Sequence, residues 1–369
     1  MGSIQTLYFL TKQLTEWEVF FMHSKTTPLS IEGQSWNEYT LKNDNGMSVS
    51  FLDFGGIITS IVTPDKDGNF ENVVLGFDDY KDYLNNSNYF GALIGRVSGR
   101  IANSTFSLNG KEYKLPENEG KHHLHGGPVG LHSTIWQVEL VETATSTGAV
   151  LYHTSLDGDA GYPGTIKYKV SYTLTNDNAF TIDYEAFSDQ DTILSLTNHS
   201  YFNLTGNLKE TVLNHEVKLD ASQFVELDQE LIPTGRLLPV TDTVFDFTNG
   251  RRLVDGVNSG DPQNKVASDG YDHFFIFDHK AEENVVVTEP KSGRKLTVKT
   301  NQPAMVLYTG NSVDDSCTLK ERQSEKYLGV CLETQSTPAS LNYPGFPSIQ
   351  LAKNEAYRHT TTFTFSTLS

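Results

Sequence analysis

The side chains best suited to chemistry in this chain are an imidazole and a carboxylate far apart in the sequence. His199 stands in Asn198-His199-Ser200-Tyr201-Phe202-Asn203-Leu204, directly after a strand-like run from Thr192 to Leu196. A histidine among such aromatic and amide neighbours is either a buried structural donor or a group that transfers protons. Glu333 stands in Leu332-Glu333-Thr334-Gln335, after a mostly apolar run over 327–332. The spacing predicts that it ends a strand, partly desolvated, with its pKa raised toward that of a useful base; the alternative is an edge glutamate in water. His125 is followed by Gly126-Gly127, which would let the backbone approach a ligand closely. Asp272 lies between aromatic residues in Tyr271-Asp272-His273-Phe274-Phe275, either starting a strand or accepting a hydroxyl. Together these residues suit proton transfer on a neutral, hydroxyl-rich substrate.

Other chemistries fit less well. A histidine metal site on a helix needs two ligands on one face with a carboxylate between, as in H-E-x-x-H. His122, His123 and His125 lack that spacing and run into Gly126-Gly127-Pro128, so no metal is expected; His122 and His123 read as surface loop residues. Gly95-Arg96-Val97-Ser98-Gly99 misses the nucleophile-elbow spacing. No phosphate-cradling loop ends in Gly-Lys-Ser or Gly-Lys-Thr. Neither Cys317 nor Cys331 has an obvious activating histidine nearby in sequence.

The chain has 369 residues, with Lys+Arg 28 against Asp+Glu 46 and a formal charge of −18. That field repels nucleic acid and anionic membranes, so neither is expected as a partner. Two cysteines are too few for a disulfide framework and fit a reducing, cytoplasmic setting. Four glycosylation sequons, at Asn85, Asn103, Asn198 and Asn203, read as accidental, because two fall in the His199 motif. No apolar run reaches the ~20 residues of a membrane helix. Leu7, Leu10, Leu14, Trp17 and Phe21 recur at helical spacing, but Lys12, Glu16 and Glu18 interrupt any signal-peptide core. Residues 1–28 are therefore expected to be an extension, helical or non-native, before a single domain over 29–369.

The elements that must position these residues are strands. Asn45-Gly46 precedes the run Met47 to Leu52, and Asn109-Gly110 separates Phe106-Ser107-Leu108 from Lys111-Glu112-Tyr113; both are hairpin turn signals. Ile166, Tyr168, Val170, Tyr172 and Leu174 alternate with polar residues, as do Phe180, Ile182, Tyr184 and Ala186. Period two puts the apolar set on one sheet face. Runs near 274–277, 285–287, 296–298, 305–308 and 363–365 repeat the pattern. Only Asp79 to Leu84 and Asp315 to Arg322 suggest short helices or turns. The expected class is all-β, a large antiparallel β-sandwich with few short helices.

Beyond about Leu29 the chain resembles the aldose 1-epimerase family, also called galactose mutarotases. The matching pieces run in order: Gly95-Arg96-Val97-Ser98-Gly99-Arg100-Ile101-Ala102, Leu124-His125-Gly126-Gly127, Gly161-Tyr162-Pro163-Gly164, the His199 motif, Tyr271-Asp272-His273, Tyr308-Thr309-Gly310-Asn311, and Leu332-Glu333-Thr334-Gln335 with Pro344-Gly345-Phe346-Pro347. The resemblance implies a β-sandwich whose cleft takes a free monosaccharide, without a cofactor, in a monomer or homodimer. It implies Glu333 as base at O1 and His199 as acid at O5, ionised and charged respectively at rest. It implies that Arg100, His125 and Asp272 hold hydroxyls and that Tyr308 lies against the sugar. Some members have Asn where this chain has Gly99, and Gln where it has Val306. The alternatives are a hexose-6-phosphate 1-epimerase, which would need further cations beside Arg96 and Arg100, a non-catalytic sugar-binding module, and a glycoside hydrolase pairing Asp272 with Glu333.

Overall fold

The structure, a computed structural model, describes residues 22–368. Three antiparallel sheets account for most of it. One has nine strands, in spatial order Gln137–Glu142, Ser146–Ser155, Ile166–Thr175, Ala179–Ser188, Ala356–Thr367, Arg294–Thr300, Val285–Thr288, Glu216–Leu219 and Arg251–Arg252. A second has six: Tyr201–Phe202, Val330–Gln335, Ala304–Tyr308, Asp272–Ile276, Gln223–Leu227 and Pro233–Pro239. A third runs in sequence order through His23–Ile31, Gln34–Lys42, Ser48–Leu52, Ile58–Pro64 and Phe70–Asn72. The all-β sandwich expected from the alternation is what forms. Among the described residues the α-helices are two five-residue turns, Leu253–Val257 and Pro262–Val266.

The period-two segments bury as their pattern requires. Ile166, Tyr168, Val170, Tyr172 and Leu174 face the core, with Phe180, Ile182, Tyr184 and Ala186 beside them on the paired strand. The inner faces of all three sheets meet in one cluster. Phe202 of the six-stranded sheet lies 5.3 Å from Phe363 of the nine-stranded one. Phe51 of the third sheet meets Tyr172 edge-on at 5.0 Å, and the Tyr172 hydroxyl donates to the Gly56 carbonyl at 2.7 Å.

Both hairpins form where their turn residues lie, between Lys42 and Ser48 and between Leu108 and Lys111. Tyr80–Asn85 makes the first expected short helix, a 3₁₀ turn capped by the Asp79 side chain. The second is absent: the 315–322 segment is held by bridges from Leu319 to Phe77 and from Thr318 to Gln323. The boundary expected at residue 29 falls inside the strand His23–Ile31, which pairs along its length with Gln34–Lys42. The helical pattern over 7–21 lies outside the described residues.

Arg294 ties two sheets together. Its guanidinium is buried and donates to the carbonyls of Thr63, Asn69 and Leu204 and to the Glu71 carboxylate at 2.9 Å. Arg294→Met removes these hydrogen bonds, leaves the buried carbonyls without their donor and leaves Glu71 to Lys209 alone, so it is expected to destabilise the fold by about 1–3 kcal/mol, checked by chemical denaturation.

Candidate active site

The register of the six-stranded sheet builds the site. Val306 lies opposite Glu333, Tyr308 opposite Cys331, Asp272 opposite Tyr308 and Phe274 opposite Val306. Directly opposed residues share a face, and so do residues two apart on one strand. Asp272, Phe274, Val306, Tyr308, Cys331, Glu333 and Gln335 therefore occupy one face, and Phe275, Met305, Leu307 and Leu332 point the other way into the core. Glu333 is not at a strand end, as the apolar run before it suggests, but inside Val330–Gln335, where every residue is buried. One face of the strand packs in the core, and the face that carries Glu333 is covered by cleft residues from distant segments, His199 among them, which a single strand does not reveal.

His199 reaches this face from the segment between Thr197–Asn198 and Tyr201–Phe202. The segment is pinned to residues 91–92: the His199 N–H donates to the Ala92 carbonyl at 2.9 Å, and the Gly91 N–H donates to the His199 carbonyl at 3.0 Å. Asn198 donates to the Gly91 carbonyl and accepts from Ser200, so the amides of the motif fix its backbone. His199 Nε2 lies 3.4 Å from Glu333 Oε1, and both side chains are buried. On its other side, His199 Nδ1 lies 3.6 Å from Cys331 Sγ.

The remaining expected residues converge here. Arg100 Nη1 is 3.6 Å from Asp272 Oδ2, and Nη2 is 3.4 Å from Glu119 Oε1. The His125 ring packs edge-on to His199 at 5.3 Å. The Tyr308 ring lies 6.3 Å from His199, and its hydroxyl accepts from the Ser312 N–H. Arg100, His125, His199, Asp272, Tyr308 and Glu333 all line one cleft of about 190 Å³. Sequence reasoning missed Glu119 and Tyr89. Glu119 sits in a polar loop with no signal. Tyr89 packs edge-on to His125 and tilted against His199, and has φ 55, a conformation uncommon for a bulky residue. Gln335 also lines the cleft, and neither atom of its amide has a protein partner. A larger cavity of about 460 Å³ behind the 126–131 loop holds neither His199 nor Glu333.

Three local expectations are corrected. His122 and His123 are buried: His122 Nδ1 accepts from the Asn103 N–H, and His123 bridges the Pro116 carbonyl and the Tyr162 hydroxyl. A loop folded under a sheet needs such side chains to satisfy its backbone. Gly126 and Gly127 do not serve a ligand. A Cβ on Gly126 would sit 1.9 Å from the Gly95 oxygen, and one on Gly127 would sit 2.7 Å from the His123 ring, so the glycines let the loop pack on the protein itself. The third concerns charge. Burial pushes the His199 pKa down to about 4 and holds that of Glu333 well above its ordinary value, with Asp272 adding to the rise. Both shifts favour the neutral pair, with the proton on Glu333 and His199 neutral, over an ion pair in the sugar-free cleft.

One nitrogen from each of His125 and His199 and a Glu333 oxygen lie within 4.8 Å of one another, close enough to hold a metal ion. The donor set argues against one. The Gly99 N–H donates to His125 Nδ1 at 3.2 Å, which occupies that lone pair and leaves the proton of the neutral ring on Nε2. His125 thus offers the cleft an N–H donor rather than a ligand atom.

Known proteins similar to this chain fall in one family. A family model described as aldose 1-epimerase matches residues 37–364. The galactose mutarotase of Sus scrofa is 40% identical over 334 residues, covering 89% of this chain and 94% of that protein. The aldose 1-epimerase of Haemophilus influenzae is 37% identical over 344 residues, covering 92% of this chain and 98% of that one. Among solved structures, the galactose 1-epimerase of Lactobacillus acidophilus superimposes with a TM-score of 0.85 at 29% identity, covering 95% of this chain and all of its own.

Gly126 adopts φ +85, so Gly126→Ala adds both backbone strain and a clash with residue 95. The variant is expected to lose about 1–3 kcal/mol of stability and to raise the KM for sugar by displacing His125, measured by thermal melts and steady-state polarimetry.

Proposed function

Because this chain belongs to the aldose 1-epimerase family and is a carbohydrate isomerase, we propose that Glu333 and His199 interconvert the anomers of a free hexose such as galactose or glucose by acid–base ring opening. The observation that carries the reading is the 3.4 Å approach of His199 Nε2 to Glu333 Oε1 on the buried floor of the cleft.

The closed pyranose has a proton on O1 and none on the ring oxygen O5. Opening it needs ionised Glu333 to take the O1 proton and protonated His199 to give one to O5 as the C1–O5 bond breaks. The sugar-free pair holds the same single proton in its neutral arrangement. Moving that proton from Glu333 to His199 produces the charge-separated form. A bound sugar favours this form, because O1–H donates to the carboxylate and O5 accepts from the imidazolium. After opening, Glu333 is protonated and His199 neutral, which is the arrangement burial already prefers. Rotation about C1–C2 presents the other carbonyl face. Neutral His199 then takes the O5 proton, Glu333 returns one to O1, and the ring closes as the other anomer. Each acid–base group contributes about 10²–10⁴ in rate.

Arg100, Asp272 and the Nε2–H of His125 would hold the hydroxyls, with Tyr308 against the ring. Arg100 is the one arginine or lysine lining the cleft among the described residues. Arg96 is consumed by Ser155 and the carbonyls of Leu156, Pro163 and Gly164. A phosphate at C6 would find no free cation, which favours an unphosphorylated sugar. The Val306 and Phe274 side chains supply an apolar wall. We also infer a monomer or homodimer in the cytoplasm, built as one domain that the first strand extends back to His23. Both cysteines are free thiols, and no described helix is long and apolar enough to cross a membrane.

Polarimetry on freshly dissolved α-D-galactose tests the roles. Glu333→Gln and His199→Asn should each cut kcat by about 10²-fold or more, whereas Asp272→Asn should act mainly on KM; near-wild-type turnover by Glu333→Gln would remove the base. The pair is active only with one proton, so kcat/KM should be bell-shaped. On acidification a second proton is gained, on His199, only below the ordinary histidine range, since burial depresses its pKa to about 4. The last proton is held above the ordinary carboxylate range, since burial raises Glu333. Activity should therefore survive mild acid and fall at higher pH, and an acid limb at the ordinary histidine value would contradict this.

A further inference from the structure

The acid–base cycle makes a demand on the far side of the His199 ring. In the charged form both ring nitrogens carry protons; after donation to O5 the neutral ring must keep its proton on Nδ1. Only then does Nε2 present a lone pair to take the O5 proton back. The other neutral tautomer, with the proton on Nε2, could not close the ring. Something at Nδ1 must therefore accept a hydrogen bond in both states.

Cys331 Sγ stands there at 3.6 Å, within the longer reach of a sulfur contact. The backbone carbonyl of His199 itself, which also favours the charged ring, accepts from the Gly91 N–H. Cys331 is fully buried, and burial together with the Glu333 and Asp272 carboxylates holds its thiol protonated. It lies two residues before Glu333 on one strand, so both point to the same face, and it sits opposite Tyr201 and Tyr308 in register. The other groups around the ring are His125, whose Nδ1 is taken by Gly99, and the rings of Tyr89, Tyr201 and Tyr308. Among the described residues, none of these side chains hydrogen-bonds to Nδ1, whereas Cys331 does.

We propose that Cys331 is a positioning residue: its sulfur accepts the Nδ1–H of His199 and so keeps Nε2 as the nitrogen that gives and takes the O5 proton. A single strand then carries both the base and the group that sets the tautomer of the acid, two residues apart on the same face. This rests on the acid–base reading above but is measured separately from it.

The test has two arms. In the first, ring ¹⁵N NMR of the sugar-free wild-type protein should show neutral His199 with its proton on Nδ1; a proton on Nε2 overturns the proposal whatever the variants do. In the second, Cys331→Ala should lower kcat for galactose by about three- to tenfold, the scale of one net hydrogen bond, with KM within twofold and with a mixture of ring tautomers by NMR. Cys331→Ser, whose hydroxyl also accepts, should restore kcat and the Nδ1–H form. Unchanged kcat and tautomer in Cys331→Ala would overturn the proposal. So would a loss that Cys331→Ser fails to restore, because that marks a packing role. Failure of the wider reading looks different: full turnover by His199→Asn would remove the acid, while leaving the tautomer measurement standing.

Discussion

Everything in this site turns on one proton held between two groups that water scarcely reaches. An imidazole and a carboxyl at 3.4 Å in a buried cleft cannot both be charged cheaply, and cannot both be without a proton and still react. Burial settles the empty cleft on the neutral pair. In the proposed reaction a ring-closed sugar, which offers a proton at O1 and a lone pair at O5, would stabilise the charged pair; the open-chain aldehyde, with its proton on O5, would suit the neutral one. The substrate itself would then narrow the energy gap between the two arrangements, which suits a reversible reaction in which acid and base exchange roles at every turnover.

The protein's part is to hold that geometry still, and the sheet register does most of it. Antiparallel pairing places Asp272, Tyr308, Val306 and Glu333 side by side across three strands, on the face that turns from the core. A one-residue slip in any of these strands would send its contribution to the wrong face. Precision at the site is therefore inherited from the apolar residues on the opposite face, such as Phe275, Leu307 and Leu332, which lock the register by packing against the nine-stranded sheet. His199 arrives by a different route, on a short segment clamped through Asn198 and the backbone of residues 91–92. The loop of His125 is held by glycines packed against residue 95 and against His123.

The strands were legible in the sequence because their signals are local. Asn-Gly turns and period-two alternation act within a few residues, and they located Ile166–Thr175, Ala179–Ser188 and both hairpins. The six candidate site residues were named through motif resemblance, and that they share one cleft is a finding of the structure. Pairing across distant strands was not legible, and the misreadings follow from it. Glu333 looked like a strand end because its own strand gives no hint of the distant segments, such as that of His199, that cover it in the cleft. His122 and His123 looked exposed because their partners at Pro116, Asn103 and Tyr162 are recognisable only in three dimensions. Cys331 was set aside because no histidine is near it in sequence, although the register brings it to His199 across 132 positions. Arg96 looked like a candidate anion ligand until its five hydrogen bonds to the protein were visible.

The most direct test of the shared-proton account is a crystal structure of Glu333→Gln with galactose bound, a variant that should hold the sugar without turning it over. The account predicts one pyranose in the cleft, with O1 in hydrogen-bond contact with the residue 333 side chain and O5 in contact with His199 Nε2. A sugar bound elsewhere, or one whose O5 faces away from His199, would contradict it.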